Sequence, residues 1–147
     1  MIWIFAALAV LVGALIPVQA GANASLKNAV NNPIFAAIVN FVVGVSLLTA
    51  YGLVSRMDWP PVGALTKIPW WCFVGGAMGA CLVLSGVLFA HRLGAASFMA
   101  CIIVGQLTSS VVLDHFGWIG FQQHSVNFTR LLGIGLLGIG AYIIRTH

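Results

Sequence analysis

The chain has 147 residues, of which 61% are hydrophobic and only 5% are Asp, Glu, Lys or Arg. A soluble domain carries about 25% charged residues, so this composition excludes an ordinary soluble enzyme, a nucleic-acid-binding domain and a disordered chain. The formal net charge of +4 does not indicate a nucleic-acid partner, because the basic residues are scattered singly, like membrane-edge anchors. The composition predicts an integral membrane protein with the lipid bilayer as its solvent.

The charged residues divide the chain into apolar stretches, and a membrane-spanning helix needs about 20 such residues. The sequence therefore predicts an all-α integral membrane fold of five transmembrane helices. They form a single domain over residues 1–147, with no room for a soluble domain. In chain order, the predicted helices cover residues 2–22, 33–55, 69–90, 95–113 and 127–145.

The first helix has a rival interpretation as a cleaved signal peptide, because Val18-Gln19-Ala20 and Ala22-Asn23-Ala24 resemble cleavage sites. No Lys or Arg precedes its apolar run, however. A run that reaches residue 22 is also long enough to span a membrane. A retained transmembrane helix is the favoured interpretation.

Three amide side chains are candidate substrate-binding residues. Gln19 and Asn23 follow one another at i and i+4 in the first helix, just after Pro17, and Asn40 lies about two turns into the second helix. Proline bends a helix, and bent helices with polar side chains mark binding sites in transporters. In the alternative interpretation, Gln19 and Asn23 lie at the membrane interface and cap the first helix.

The ends of the second and third helices carry recognisable signals. Asn32 and Pro33 predict the start of the second helix, with Asn as the cap and Pro in the first turn. The tryptophans of the following connection, such as Trp59 and Trp70, suit the membrane interface. A very short link predicts a tight antiparallel hairpin of the third and fourth helices, with Gly94 ending the third.

The sequence of the third helix indicates a surface for helix packing and contains no catalytic or metal-binding motif. Gly75 and Gly79 form a small-residue face that lets another helix approach closely, which indicates a packing or dimerisation face. The three cysteines lie inside apolar runs and are expected to be inert buried thiols. The four histidines lack paired metal-ligand spacing. We therefore expect no metal, no cofactor and no enzymatic activity.

The fourth helix carries a polar stripe. Gln106, Ser110 and Asp114 follow at i, i+4 and i+8, so they share one face from mid-depth to the membrane edge. Gln106 and Ser110 are interpreted either as substrate-binding residues or as partners in hydrogen bonds between helices. Asp114 is the candidate coupling group, since a buried carboxyl can exchange a proton. The alternative is a helix-end Asp that is solvated or hydrogen-bonded.

The distribution of Lys and Arg predicts how the chain is assembled. With five spans, Arg56, Lys67 and Arg130 lie on one side of the membrane, and Lys27, Arg92 and Arg145 lie on the other. This count shows no positive-inside bias, so the chain is expected to insert in both orientations. Two inverted copies would form an antiparallel homodimer of ten helices. An accidental balance of small counts and a dedicated partner chain of opposite bias are the alternatives.

The chain resembles the YdcZ-like small five-helix family of the drug/metabolite transporter superfamily. The motifs that carry the resemblance are Pro17-x-Gln19 with Asn23, Trp70-Trp71, Leu93-Gly94-Ala95-Ala96, Gln106-Leu107 and Leu113-Asp114-His115-Phe116-Gly117. The resemblance implies a membrane transporter fold, related to four-helix multidrug exporters and to ten-helix carriers. It does not imply a substrate. Because the first helix lacks an acidic residue, the proton-coupling mechanism of the four-helix exporters does not carry over.

These observations predict a small-molecule carrier in the bacterial inner (plasma) membrane, working by alternating access as an antiparallel homodimer. The lack of a carboxylate at mid-membrane favours neutral, zwitterionic or weakly amphipathic substrates over purely cationic ones. A non-transporting assembly or regulatory subunit and a passive pore are the alternative functions.

Overall fold

The computed structural model describes residues 2–66 and 68–146, and the regular elements in these ranges are helical. The α-helices are α1 (Ile2–Val30), α2 (Pro33–Val54), α3 (Val62–Leu65), α4 (Val74–Leu93), α5 (Ala95–Phe116) and α6 (Phe128–Thr146). Two 3-10 turns cover Trp70–Phe73 and Trp118–Gly120. Within these described ranges, five helical segments are long and apolar enough to cross a membrane: α1, α2, the continuous stretch Trp70–Leu93, α5 and α6. The predicted all-α fold with five membrane-spanning helices is confirmed.

The chain divides into two compact units, Met1–His91 and Arg92–His147. In the first unit, α1 packs against α2, and α2 and α4 line an apolar groove of about 370 Å³. In the second unit, α5 packs against α6 around a smaller apolar groove of about 230 Å³. The single domain that the sequence predicts over residues 1–147 stays a prediction.

Helix α1 is longer than the sequence predicts, because it continues past residue 22 to Val30. Its 29 residues extend about 44 Å, whereas the hydrocarbon core of a bilayer is about 30 Å thick. Pro17 lies inside the helix without ending it. Past that proline, Ala20 and Ala24 are buried, so packing favours the helical conformation where span length alone predicts a loop. The helix ends at Val30, and the next residue, Asn31, has a left-handed φ of 51°.

Helix α2 has well-defined caps at both ends. The Asn32 side-chain oxygen accepts a hydrogen bond from the Phe35 backbone N–H at 3.0 Å, which confirms the predicted cap. At the other end, the Met57 N–H donates to the Gly52 carbonyl at 3.0 Å. Arg56 adopts a left-handed φ of 50°, which completes a Schellman motif with a non-glycine residue at its left-handed position.

Gly94 alone separates α4 from α5, and its φ of 82° belongs to the region that glycine enters readily. The predicted end of the third transmembrane helix at this glycine is confirmed, whereas the antiparallel hairpin stays a prediction. The expected burial of the thiols is wrong, because Cys72, Cys81 and Cys101 are free but exposed on the surface of the chain. Lipid solvates apolar side chains as well as a protein core does, so a residue in an apolar run need not be buried within its own chain.

Candidate functional site

An amide pair joins α1 to α2 in the first unit. Gln19 Nε2 donates to Asn40 Oδ1 at 3.3 Å. The structure thus brings together two of the three amides that the sequence singles out there. Among the described residues, the Gln19 side-chain oxygen and the Asn40 amide N–H groups have no other hydrogen-bond partner. The pair therefore presents an acceptor and donors to a ligand while remaining uncharged.

Asn23 lies one helical turn beyond Gln19 and is only 7% exposed. Its side chain makes no hydrogen bond within the described ranges 2–66 and 68–146. No side-chain nitrogen or oxygen among the described residues is both fully enclosed and unpaired, so the Asn23 amide keeps an opening through which a ligand, water or a second polypeptide can reach it. Because α1 continues to Val30, Asn23 does not cap the helix, and the capping alternative is wrong for this residue.

Asp114 in the second unit forms an ion pair with Arg130. Arg130 Nη1 lies 3.2 Å from Asp114 Oδ2, and the two side chains are 32% and 30% exposed. The same Nη1 also donates to the backbone oxygen of His124 at 3.4 Å. In this conformation Asp114 is therefore a hydrogen-bonded residue at the end of a helix, as the alternative interpretation of the sequence expects. Its role as a coupling group stays a prediction. The cation also offsets the unfavourable position of an aspartate at a helix C-terminus.

The α5–α6 connection, residues 117–127, folds back onto the end of α5. The His124 backbone N–H donates to the Asp114 carbonyl at 2.7 Å, and Gln123 Nε2 donates to the His115 carbonyl at 3.0 Å. The Val126 backbone N–H donates to Nδ1 of the His115 ring at 3.2 Å. The bonds from His124 and Gln123 satisfy carbonyl groups that the end of a helix leaves without partners, and the bond from Val126 holds the His115 ring. The connection consequently holds the polar end of α5 in a fixed arrangement.

Gln106 and Ser110 lie on the exposed surface of α5. Their side chains make no hydrogen bond to any residue that the structure describes, and they do not line the groove between α5 and α6. They belong to the second unit, whereas the amide pair belongs to the first. Their assignment as substrate-binding residues stays a prediction.

Arg130 is the residue whose importance the sequence interpretation missed, because the sequence predicts only a membrane-edge anchor there. A usable signal existed, since Asp114 and Arg130 carry opposite charges at the two ends of one short connection. The sequence spacing places Lys27 one turn beyond Asn23 but in the connection after the predicted first helix, whereas in the structure it lies in the last turn of α1. Within the described residues, no group of three His, Cys, Asp or Glu side chains is arranged as a metal site.

Comparison with known proteins identifies a family and a relative of known location. The family model described as "Putative inner membrane exporter, YdcZ" matches residues 4–143. The inner membrane protein YdcZ of Escherichia coli (strain K12) is 26% identical over 112 residues, which are 76% of this chain and 74% of that protein. No solved structure matches the chain.

Proposed function

The chain belongs to the YdcZ family, and on that premise we propose that it carries small molecules across the inner membrane by alternating access. It is an integral inner membrane protein with five membrane-spanning helices. The family description, that of an exporter, favours transport out of the cell. The membership of this chain in a family of exporters also supports a function in transport rather than in catalysis. The single observation that carries the proposed site is the hydrogen bond between Gln19 and Asn40.

The amide pair supports transport because polar side chains within membrane-spanning helices are costly and tend to mark substrate pathways. Pro17 lies two residues before Gln19 and has no backbone N–H. The carbonyl of Gly13 therefore lacks its usual helical donor and can accept a hydrogen bond from a ligand or a neighbouring helix. The uncharged donors and acceptor of the amide pair suit a solute that forms hydrogen bonds.

The test uses purified protein in liposomes loaded with a defined mixture of small metabolites, with the loss of each measured by mass spectrometry. We expect Gln19→Ala to abolish protein-dependent transport, and Gln106→Ala to do the same if α5 lines the pathway. Gln122→Ala is the matched control, because it removes an amide from the exposed α5–α6 connection. Unchanged transport in both pathway variants would defeat the site assignment.

We further propose that the active unit is an antiparallel homodimer. The equal division of Lys and Arg between the two sides supports insertion in both orientations. The small-residue face of α4 supports close contact with another helix, because a Cβ added at Gly75, Gly76 or Gly79 would meet no described atom within 4 Å. This face is our candidate for the contact between the two copies.

Topology is tested with two reporters at the C-terminus, one active only in the cytoplasm and one active only outside it. Strong signals from both fusions support dual insertion. A signal from one fusion alone refutes it and favours a parallel assembly or a partner chain of opposite bias. A matched pair of variants, Arg145→Gln and Arg56→Gln, should shift the ratio of the two signals in opposite directions, since these residues lie on opposite predicted sides.

We propose Asp114 as the coupling group, with Arg130 and a proton competing for its carboxylate. The ion pair supports this role because it gives the carboxylate an alternative partner when the proton leaves. Asp114→Asn is expected to abolish accumulation driven by a pH gradient while preserving equilibration of the solute. Accumulation against a concentration gradient also separates a carrier from a passive pore. If Asp114→Asn still accumulates solute, the coupling assignment is wrong.

A further inference from the structure

The unexpected length of α1 places a basic residue on the same face as the candidate amides. Gln19, Asn23 and Lys27 follow at i, i+4 and i+8, which places them within about 80° of arc at 100° per residue. Successive members are separated by about 6 Å along the axis. A loop beginning at residue 23 would have left the position of Lys27 undefined. The helix instead turns the three residues into one polar face, here called the α1 polar face.

Lys27 on this face is half-buried and has no ion-pair partner among the described residues. The acidic residues of the chain are Asp58 and Asp114. Asp114 pairs with Arg130 in the second unit. Asp58 is exposed and follows the C-terminal end of α2, whereas Lys27 lies near the link to the N-terminal end of α2. The ammonium of Lys27 is therefore available to an external anion.

Asn23 supplies an independent indication of a ligand. It lies between Gln19 and Lys27 on the α1 polar face, and the residue is 7% exposed. Its side chain makes no hydrogen bond within the described chain, yet its amide atoms are not fully enclosed, so they remain open to a ligand. An amide beside an unpaired ammonium offers hydrogen-bond donors to the same anionic group. Nothing on this face carries a negative charge that would attract a cation.

We infer that the α1 polar face binds a small organic anion, whose carboxylate or phosphate contacts Lys27 and Asn23 while its neutral polar part contacts Gln19 and Asn40. This inference rests on the proposed transport function and narrows its substrate class. Charge-assisted hydrogen bonds from Lys27 favour a carboxylate over the amide of the same shape. Zwitterions and amphipathic acids remain within this class, whereas permanent cations fall outside it.

A purely structural role for Lys27 predicts different behaviour. Its position in the last turn of α1 lets the charge interact with the helix dipole, and its long side chain can extend toward the headgroups. In both effects the positive charge of Lys27 stabilises the protein. Neither effect makes the reactivity of the ammonium group depend on whether a soluble ligand carries a negative charge. Ligand protection of Lys27 therefore separates binding from stabilisation.

The experiment measures acylation of lysine by an amine-reactive reagent, on protein in phosphatidylcholine nanodiscs, with peptides quantified by mass spectrometry. The chain contains only Lys27 and Lys67, so Lys67 is an internal control. The probes are benzoate against benzamide, and nicotinate against nicotinamide and the 1-methylnicotinamide cation. At about ten times its Kd, a carboxylate should slow acylation of Lys27 about tenfold, with Lys67 unchanged. Equal labelling of Lys27 with each carboxylate and its amide overturns the inference.

Two variants test the charge without relying on Lys27 labelling. Tritiated benzoate binding by equilibrium dialysis should fall in Lys27→Gln and should be retained in Lys27→Arg, while Lys67→Gln leaves it unchanged. Size-exclusion chromatography and the unfolding midpoint establish that each variant is folded. Should Lys27→Gln be folded and still bind benzoate as the native chain does, the assignment of Lys27 fails.

Lipid headgroups are the other source of an anionic group. If adding phosphatidylglycerol to the nanodiscs protects Lys27 while no soluble carboxylate does, the site belongs to lipid and the inference is overturned. Failure of the transport proposal gives a different result. In that case, carboxylates protect Lys27 although no solute leaves the liposomes. Conversely, if the protein transports solutes but carboxylates do not protect Lys27 more than their amides do, the proposal of a carrier stands and the inference of an anionic substrate is refuted.

Discussion

The guanidinium of Arg130 lies 3.2 Å from the carboxylate of Asp114, which links the first turn of α6 to the last turn of α5. Only Nη1 takes part in this contact, so the pair is monodentate. The pair fixes the ends of two helices that are also joined by the folded α5–α6 connection. Its strength therefore governs how firmly the polar end of the second unit is held together.

Asp114→Asn and Arg130→Gln should each destabilise the second unit, and the double variant Asp114→Asn/Arg130→Gln should lose less stability than the sum of the two single losses. Because both side chains are partly exposed, we expect a coupling energy of about 1 kcal/mol. The measurement is a double-mutant cycle on SDS-induced unfolding in detergent. Arg145→Gln is the control, since Arg145 has no ion pair in the described chain. Additive effects of the two single variants would show that the pair contributes no stability.

Gly52 and Gly44 are both in α2, but of the two only Gly52 has an aromatic ring in the space that an added Cβ would occupy. A Cβ added at Gly52 would lie 2.9 Å from Cζ2 of Trp59, whereas one added at Gly44 meets nothing within 4 Å in the described chain. We expect Gly44→Ala to stabilise the helix by about 0.5–1 kcal/mol and Gly52→Ala to lose that gain through the clash. Unfolding midpoints of both variants, and of Gly52→Ala/Trp59→Ala, provide the measurement. Equal stabilisation by the two single variants would contradict the close contact.

Ile119 adopts a left-handed φ of 58° in the α5–α6 connection. A β-branched residue in this region is strained by about 1–2 kcal/mol. Ile119→Gly is therefore expected to raise the free energy of unfolding by about 1 kcal/mol, less the extra entropy of glycine in the unfolded chain. Gly120→Ala is the opposite control, because Gly120 has a φ of 83° and the alanine side chain introduces strain. A lower midpoint for Ile119→Gly in detergent would argue against relieved strain.

His115 is expected to hold the α5–α6 connection through its ring nitrogen. Nδ1 accepts a hydrogen bond from the Val126 N–H, so the ring requires a lone pair at that atom. His115→Asn keeps an acceptor near this position, whereas His115→Phe keeps the ring and removes the acceptor. Loss of one hydrogen bond of about 1 kcal/mol should speed hydrogen exchange at Val126 about fivefold in the Phe variant only.

The faster exchange at Val126 is measured by mass spectrometry on peptides that cover residues 117–127. His124→Phe is a suitable control because Nδ1 of His124 contacts only the nearby Gln122 carbonyl, two residues away. The two His115 variants should differ from each other more than the His124 variant differs from the native chain. Identical exchange in all three would exclude a positioning role for His115.

Helix boundaries could be predicted from the sequence where a capping residue or a glycine marks them locally. Asn32 and Gly94 mark boundaries through side-chain capping and a positive φ, and both boundaries are confirmed. The end of α1 could not be predicted in this way, because no glycine or proline lies between Gly21 and Asn31 and the length rule for a span sets only a minimum. The burial of Ala20 and Ala24 depends on packing, which is visible only in three dimensions.

The candidate site was predictable only in part for a similar reason. Helical spacing placed Gln19 with Asn23, but the partner of Gln19 on α2 depends on the register of two packed helices. The pairing of Asp114 with Arg130 depends on how residues 117–127 fold back, which includes a left-handed isoleucine that no propensity favours. Lys27 was assigned to the wrong kind of element because the error at the end of α1 carried over to it.

Helix α1 exceeds the hydrocarbon thickness of a typical bilayer by about 14 Å, and this surplus makes the acyl-chain length of the surrounding lipid matter. In a thin membrane the helix must tilt or project, and the Lys27 end then reaches the headgroups and water. In a thick membrane the same end is drawn toward the acyl chains, where an ammonium is costly without a counter-ion. Hydrophobic mismatch thereby connects membrane thickness to the affinity of this helix for anions.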